Sequence, residues 1–542
     1  MTSPPSNSVN CDKVMKGRDY LVFALLSILS LLAMADFFLH WFSLQNWSGH
    51  PVSFLLITLI ALVILTNNQG RWYLLLYMRK PKAVAPRAGL KVAVATTFVP
   101  HGESLDMLEQ TVKAMVKLDY PHDTWVLDEA DDERARELCL RLGAKHFSRK
   151  NLANYLTDDG IFKRGTKYGN YNAWFHKIGF DNYEIITTFD PDHIPAANFL
   201  TSVLGYFDDP KVAYVQVAQS YYNQKASFIA RGAAEETYEY YSVIQMASYG
   251  MGYPIIVGSH NTHRVTALKQ VGGFSAHDAD DLVLTLNYRA SGWQGVYVPK
   301  ILSKGLTPVD WSGYLGQQRR WARSVLDIKF RRYFEFSPNL SPKSRLMSVL
   351  HGLNFLHRSI LILLALVLTS FMLASGISPN VVSYGTLQKL AVLWLVLQLC
   401  EFYRQKFYLD PPKERGFHWR VALLQYAKWP WFILALLDIL VGRRVPYVLT
   451  RKVESNSTKH LLVFPNVLIV VLLLGSWVVG QSLGVWVHPL IYVFAAVFVV
   501  ASIVLIWTDS WKFPPPYDNA LVRDEVEISM ERAKASGATI DR

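Results

Sequence analysis

Tyr183-Glu184-Ile185-Ile186-Thr187-Thr188-Phe189-Asp190-Pro191-Asp192-His193 is the stretch that decides how this chain folds. Its first seven residues read as a buried strand, rich in β-branched and aromatic side chains. Two carboxylates, spaced two apart, follow on the turn that leaves the strand. Open α/β sheets bind ligands in the crevice beyond the carboxyl ends of their strands, and this turn places both acids there. Paired hard oxygen ligands suit Mg²⁺ or Mn²⁺ carrying a diphosphate. Spacing alone does not single the turn out, because Asp278-Ala279-Asp280 repeats it. The strand in front of it does.

Working outward, residues 84–345 form a polar island with alternating strand and helix patterns. A buried-strand run at 91–98 is followed by helical spacing over 105–118. A second strand at 124–127 ends in Asp128-Glu129, and a second helix is expected over 133–142. Strand, helix, strand with acids at strand ends is the pattern of a nucleotide-binding parallel sheet. The chain contains no Gly-x-Gly-x-x-Gly and no Walker sequence, which argues against dinucleotide cofactors and P-loop chemistry.

Apolar runs lie on both sides of the island: 20–42 and 52–66 before it, then 349–373, 387–408, 421–441, 461–479 and 485–507 after it. The 542 residues carry a net charge of +12 although 51% are hydrophobic. Such a basic balance could mean nucleic acid, a membrane surface or an anionic substrate, and these runs settle it for a membrane. Lys and Arg crowd the segments 13–18, 79–82, 404–420 and 443–459 but are absent from 43–51, 374–385 and 480–484. By the positive-inside rule the crowded segments are cytosolic. Both flanks of 421–441 are then cytosolic, and Lys428, Pro430 and Asp438 interrupt the run. It reads as an amphipathic helix lying in the interface, leaving about six spans, with a seven-span layout as the alternative. The expected location is the inner (plasma) membrane, multi-pass, with the island and both termini cytosolic. The first run is too long for a signal-peptide core and is expected to be retained. Cys11, Cys139 and Cys400 are too few and scattered for a disulfide framework or a zinc site.

With these motifs in place, the island resembles the catalytic domain of the family-2 glycosyltransferases, in particular the membrane-embedded, processive, cellulose-synthase-like group. Val126-Leu127-Asp128-Glu129 stands where that family has an acid contacting the nucleotide base. Lys167-Tyr168-Gly169-Asn170-Tyr171-Asn172 is similar to its Lys-x-Gly-Asn-x-Asn stretch, and Asp190-Pro191-Asp192 to its metal-binding Asp-x-Asp. Asp280-Asp281 resembles the Glu-Asp whose second acid is the general base, and Gln317-Gln318-Arg319-Arg320-Trp321 the Gln-x-x-Arg-Trp of processive members. Tyr447-Val448-Leu449-Thr450-Arg451-Lys452 resembles a gating loop, Phe-x-Val-Thr-x-Lys. The likeness covers about residues 90–460, and the motifs keep the family's order.

The resemblance implies a GT-A-like, mainly parallel α/β domain over 84–345. Two membrane helices would precede it in 1–83, and a channel region with the gating-like loop 443–459 would follow in 346–542. The implied enzyme is an inverting hexosyltransferase that elongates a β-linked polysaccharide, a β-glucan made from UDP-glucose, and moves it across the membrane. The alternative is a non-processive transferase adding one sugar to a lipid. Asp190, Asp192 and His193 would hold Mg²⁺ or Mn²⁺, with His193 either a ligand or a hydrogen-bonding neighbour. Asp281, backed by Asp280, would take the proton of the acceptor hydroxyl, and Arg320 would contact the diphosphate. Asp128, Lys167, Asp190, Gln317, Trp321, Gly258, Ser259, Thr450 and Lys452 would contact donor or acceptor. The implied partners are a nucleotide-sugar donor, a growing polysaccharide, the lipid bilayer and an accessory or periplasmic export subunit, with no nucleic acid.

Blander roles stand beside these. Asp281 can cap a helix starting at Leu282. Gln317, Arg319 and Arg320 can be a basic face at the membrane surface, and Lys452 fits a cytosolic loop on topology alone. Asp36, His351, His357 and Arg358 fall in or beside spans, where ionisable groups face a polar interior or snorkel. The chain departs from the family text at Ala130, at Ala279 (often Thr), and at Ile255-Ile256-Val257-Gly258-Ser259-His260, where only Gly258-Ser259 is retained. These departures bear on donor and linkage. The segment after the last run is too short for a fused regulatory β-barrel.

Overall fold

The computed structural model describes residues 9–47, 50–100, 102–443 and 460–514. Eight strands form one sheet: β1 Val92–Phe98, β2 Asp123–Asp128, β3 Lys145–Phe147, β4 Ile185–Phe189, β5 Ile194–Pro195, β6 Val212–Tyr221, β7 Asn261–Arg264 and β8 Gln294–Gly305. Their spatial order is β3-β2-β1-β4-β7-β6-β8-β5. The pairs β3–β2, β2–β1, β1–β4 and β6–β8 are parallel, whereas β7 runs antiparallel to both β4 and β6. The architecture is the expected GT-A-like α/β sheet with flanking helices, and the sheet is mixed.

All seven residues of β1 are buried. Val92 and Val94 pack into one core, while Ala93 and Ala95 pack into another on the opposite face. That is the two-residue alternation of a strand covered on both sides. Helices start where the sequence supplies a cap: Ser104 accepts from the Met107 N–H, Asp132 from Arg134, Thr166 from Gly169 and Asp310 from Gly313.

The reversed β7 builds the crevice. Thr188 of β4 pairs with Asn261 of β7, so the residues entering β7 lie beside those leaving β4. Gly258-Ser259-His260 thereby runs along Asp190-Pro191-Asp192-His193.

Among the described residues, seven helices are long and apolar enough to cross a membrane: Gly17–Trp41, Pro51–Tyr77, Asn354–Ser375, Tyr384–Phe407, Trp419–Leu440, Val463–Ser482 and Pro489–Asp509. Each falls on one of the apolar runs. The helix Gly17–Trp41 packs on Tyr384–Arg404, and Asn354–Ser375 packs on both Val463–Ser482 and Pro489–Asp509. Trp419–Leu440 differs from the others, because it also packs on two helices of the sheet domain, Phe228–Glu239 and Trp311–Asp327. Gly232 allows the first of these approaches, since a Cβ there would come within 2.9 Å of the Leu424 side chain.

Candidate active site

The turn after β4 is held by its neighbours. The Asp190 N–H donates to Ser259 Oγ at 2.9 Å, and the His193 N–H closes the turn onto the Asp190 carbonyl at 3.0 Å. Thr111 Oγ1 donates to the Pro191 carbonyl at 2.7 Å. Asp192 is 1% exposed, and its Oδ2 accepts from the Leu306 N–H at 3.2 Å. One ligand atom from each of Asp190, Asp192 and His193 lies within 4.8 Å of the others. Two carboxylates and an imidazole at that spacing fit a hard or borderline divalent cation. A cationic group already lies against Asp190: Lys167 Nζ donates both to its Oδ1 and to the Gly258 carbonyl.

Lys167 opens the helix Lys167–Trp174, whose other motif residues turn inward. Asn170 donates to the Leu127 carbonyl at 2.9 Å. Asn172 donates to the carbonyls of Ile161 and Phe274 and accepts from the Phe274 N–H at 2.7 Å. Tyr171 donates to the carbonyls of Ala95, midway along one central strand, and Phe189, at the end of the next. The asparagines therefore fasten the helix while the lysine reaches the crevice. Burial opposes the charge on Lys167, yet the carboxylate of Asp190 holds the ammonium above its ordinary range.

On the far side of Gly258 lie the paired acids. The helix Asp280–Ala290 begins at Asp280, which puts Asp281 in its first turn and not at the cap. Asp281 Oδ2 accepts from the Gly258 N–H at 2.8 Å, and its Oδ1 accepts from the Leu282 N–H at 2.7 Å. Asp280 Oδ1 accepts from the Asp281 N–H at 3.0 Å. Both carboxyls lie deep in the crevice although each side chain keeps some solvent contact. Burial pushes Asp280 up to about 7; Lys167 pulls it down, while Asp281 and Asp190 push it further up. Burial also raises Asp281, but the N–H groups of Gly258 and Leu282 and the charge of Lys167 restrain it.

The helix Trp311–Asp327 carries Gln317, Arg320 and Trp321. It follows directly from the Leu306 contact with Asp192. Arg323 approaches Asp278 at 3.5 Å and Asp327 meets His277 at 3.1 Å, which fixes the helix beside the approach to the acids. Trp321 is 41% exposed and offers an open aromatic face. Asp128, at the end of β2, is fully buried, and its oxygens accept from the N–H groups of Ala130 and Asp132 and meet His146 at 3.2 Å. Its neighbour Glu129 forms a two-pronged pair with the buried Arg149, at 2.9 and 2.7 Å. Arg149 in turn donates to the carbonyls of Tyr155, Phe162 and Lys163 ahead of Lys167. Thr450 and Lys452 lie outside the described residues. The crevice thus unites Lys167, Asp190, Asp192, His193, Gly258, Ser259, Asp280 and Asp281, and leaves Asp128 engaged with its own turn.

Some residues of consequence carry no sequence motif. Gln216 on β6 accepts from the Val257 N–H at 2.9 Å and donates to the Ser259 carbonyl at 3.2 Å, bracing the segment that both halves share. Glu235, Glu236 and Glu239 all lie on the helix Phe228–Glu239. Glu235 pairs with Arg420 at 2.9 Å, Glu236 with Lys428 at 2.7 Å, and Glu239 with Arg404 at 3.1 Å and with Arg71. Charge pairs across distant segments are invisible to local periodicity.

Residues 185–403 match the model of Glycosyl transferase family group 2. Cellulose synthase 1 of Komagataeibacter xylinus is 29% identical over 238 residues, which is 43% of this chain and 15% of that protein. The UDP-forming cellulose synthase catalytic subunit of Xanthomonas axonopodis pv. citri is 27% identical over 315 residues, 55% of this chain and 41% of that protein. The matched stretch thus takes in less than half the length of either relative. A solved mannosyltransferase from Pyrobaculum calidifontis, in complex with GDP-Man and Mn²⁺, overlaps 71% of this chain and 99% of its own at 16% identity and a TM-score of 0.48. These likenesses support a family-2, cellulose-synthase-like glycosyltransferase.

Proposed function

We propose that this protein is a processive, inverting glycosyltransferase that elongates a β-glucan from UDP-glucose and moves the product across the inner membrane. The observation that carries this reading is the backbone of Gly258. Its carbonyl meets Lys167, which also holds Asp190, and its N–H meets Asp281. A donor site and an acceptor-deprotonating site therefore meet at the backbone of one residue. Positioning two reactants in this way is worth several kcal/mol of the barrier, roughly 7–11 at best.

Asp190, Asp192 and His193 would hold the divalent cation, Mg²⁺ or Mn²⁺, which when bound neutralises the diphosphate of the donor. Asp281 takes the proton of the acceptor hydroxyl as that oxygen attacks the anomeric carbon, and the nucleotide diphosphate leaves from the opposite face. Lys167 and Arg320 supply positive charge to the leaving group. Trp321 gives the terminal sugar ring a flat face, and Gly258-Ser259 lines its approach. Asp128 would shape the base end of the donor pocket through its turn. Thr450 and Lys452 belong to the proposed gating loop.

The bonds from Trp419–Leu440 to the sheet domain support its placement in the membrane interface. Arg420, Gln425, Lys428 and Asp438 all bond to side chains of the two sheet-domain helices. A helix that keeps its polar groups on a cytosolic domain is suited to lie beneath it. The sheet domain and both termini are then cytosolic, the bilayer is a partner, and an accessory export subunit would receive the product outside.

The test uses membranes containing the protein, labelled UDP-glucose and Mg²⁺ or Mn²⁺, followed by linkage-specific hydrolases. Long product cut by a β-glucanase is expected. A single-sugar glycolipid would instead assign a non-processive transferase, and no incorporation from UDP-glucose would overturn the donor.

A further inference from the structure

The imidazole of His193 is clamped on four sides. Its ring stacks on that of His260 with centroids 5.3 Å apart and planes 29° from parallel. The backbone of Gly305 lies against it so closely that a Cβ there would fall 2.4 Å from His193 Nε2. Nδ1 lies 3.3 Å from Asp192 Oδ1, and Nε2 lies 3.3 Å from the amide nitrogen of Gln219. The ring is 3% exposed and has no room to turn over.

Gln219 is itself oriented. The Tyr241 hydroxyl donates to its Oε1 at 2.8 Å, leaving the NH₂ group facing His193. An amide nitrogen donates and never accepts, so His193 Nε2 must be the acceptor. The proton of the neutral ring is then on Nδ1 and is donated to Asp192. In that tautomer the ring nitrogen nearest the carboxylates has no lone pair for an ion. A half-turn of the amide reverses this: Oε1 would accept from Nε2–H, Nδ1 would be bare, and the Tyr241 hydroxyl would accept from the NH₂ group. Because the ring cannot rotate, the amide is the element able to change.

We propose that Gln219, set by Tyr241, is a positioning residue that decides whether His193 Nδ1 is available as a donor to the divalent cation. The inference rests on the reading that Asp190 and Asp192 hold that cation. The hydrogen bond at one imidazole nitrogen sets which tautomer the other presents to a metal. Changes to such partners alter metal affinity by ~10–100-fold. The sequence around Gln219 and Tyr241 carries no motif.

The experiment uses the full-length protein in detergent with Mn²⁺ alone, read by electron paramagnetic resonance. Affinity comes from titration, and direct imidazole coordination from the nitrogen hyperfine coupling, assigned with ¹⁵N-histidine. Gln219→Glu presents only acceptors to Nε2–H and frees Nδ1. It should bind Mn²⁺ ~10-fold more tightly and increase the imidazole coupling over wild type. Tyr241→Phe releases the amide without changing charge and should also increase the coupling. Imidazole coupling equal in wild type and both variants would overturn the inference, even if Gln219→Glu binds more tightly through its charge. Failure of the underlying metal reading looks different: wild type would not bind Mn²⁺, or Asp192→Asn would bind it equally well.

Discussion

Gly258 donates its backbone N–H to Asp281 Oδ2 at 2.8 Å while its carbonyl accepts from Lys167. Asp190, the other partner of Lys167, belongs to the cation cluster. The lysine is therefore the electrostatic link between the two halves of the site. Its charge lowers the pKa of both Asp280 and Asp281. Lys167→Met should reduce glucose transfer on the order of 10²-fold, the usual cost of losing one preorganised charge contact. It should also move the acidic limb of the pH–rate profile to higher pH. A variant with reduced rate but an unmoved limb would confine Lys167 to donor binding.

Asp281→Asn keeps the shape of the side chain and can still accept from one N–H, but it removes the proposed base. The expected loss is roughly 10²–10⁴-fold in transfer. UDP affinity, measured by calorimetry in the presence of Mn²⁺, should stay near wild type. Full transfer by this variant would reassign the proton acceptor to Asp280.

The sequence made the first half of the sheet legible. Val92–Phe98, Asp123–Asp128 and Ile185–Phe189 have near-continuous buried patterns, and the helices Leu105–Met115 and Glu133–Leu142 carry clear apolar faces. The second half was harder to read. β7 is only Asn261–Arg264, and its first three polar side chains are buried, with Asn261 accepting from Thr188 of β4 at 2.6 Å. No hydrophobic period announces such a strand, yet its reversed direction brings Gly258-Ser259 to Asp190. Motif text placed Asp190, Asp192, Asp280 and Asp281 together because chemistry restricts those residue types. It did not distinguish Lys167, which reaches the crevice, from Asn170 and Asn172, which fasten the helix. Gln219 and Glu236 were hidden for another reason: their partners are 26 and 192 residues away.

Asp280 gives the protein a specific pH dependence. Its carboxyl is at about 7 in the folded protein against an ordinary value of 3.8, with burial as the chief cause. Between those values the folded state keeps a proton that the unfolded chain has released. Stability therefore falls as pH rises from about 4 to about 7 and levels off above. Asp281, raised for the same reason, adds in the same direction. In cation-free buffer, the melting temperature of wild type should drop between pH 5 and pH 8. The drop should be smaller in Asp280→Asn. An identical drop in both proteins would show that the acid carries no such penalty.

Glu236 joins the sheet domain to the helix Trp419–Leu440. Its Oε2 accepts from the Tyr314 hydroxyl at 2.6 Å, and its Oε1 accepts from Lys428 at 2.7 Å and from Gln425 at 2.8 Å. The Lys428 and Glu236 side chains are 5% and 11% exposed. Removing one partner of a buried ion pair costs roughly 3–5 kcal/mol, because the other charge is stranded, whereas removing both can be nearly neutral. Glu236→Gln should therefore be strongly destabilised to chemical unfolding in detergent, and adding Lys428→Met should restore most of the loss. The exposed pair of Glu335 and Arg332 at 3.0 Å is the control, since Glu335→Gln should cost at most about 1 kcal/mol. If Glu236→Gln is no worse than that control, the helix is held to the sheet domain by its apolar face alone. In that case the polar residues of Trp419–Leu440 cease to support its interface placement.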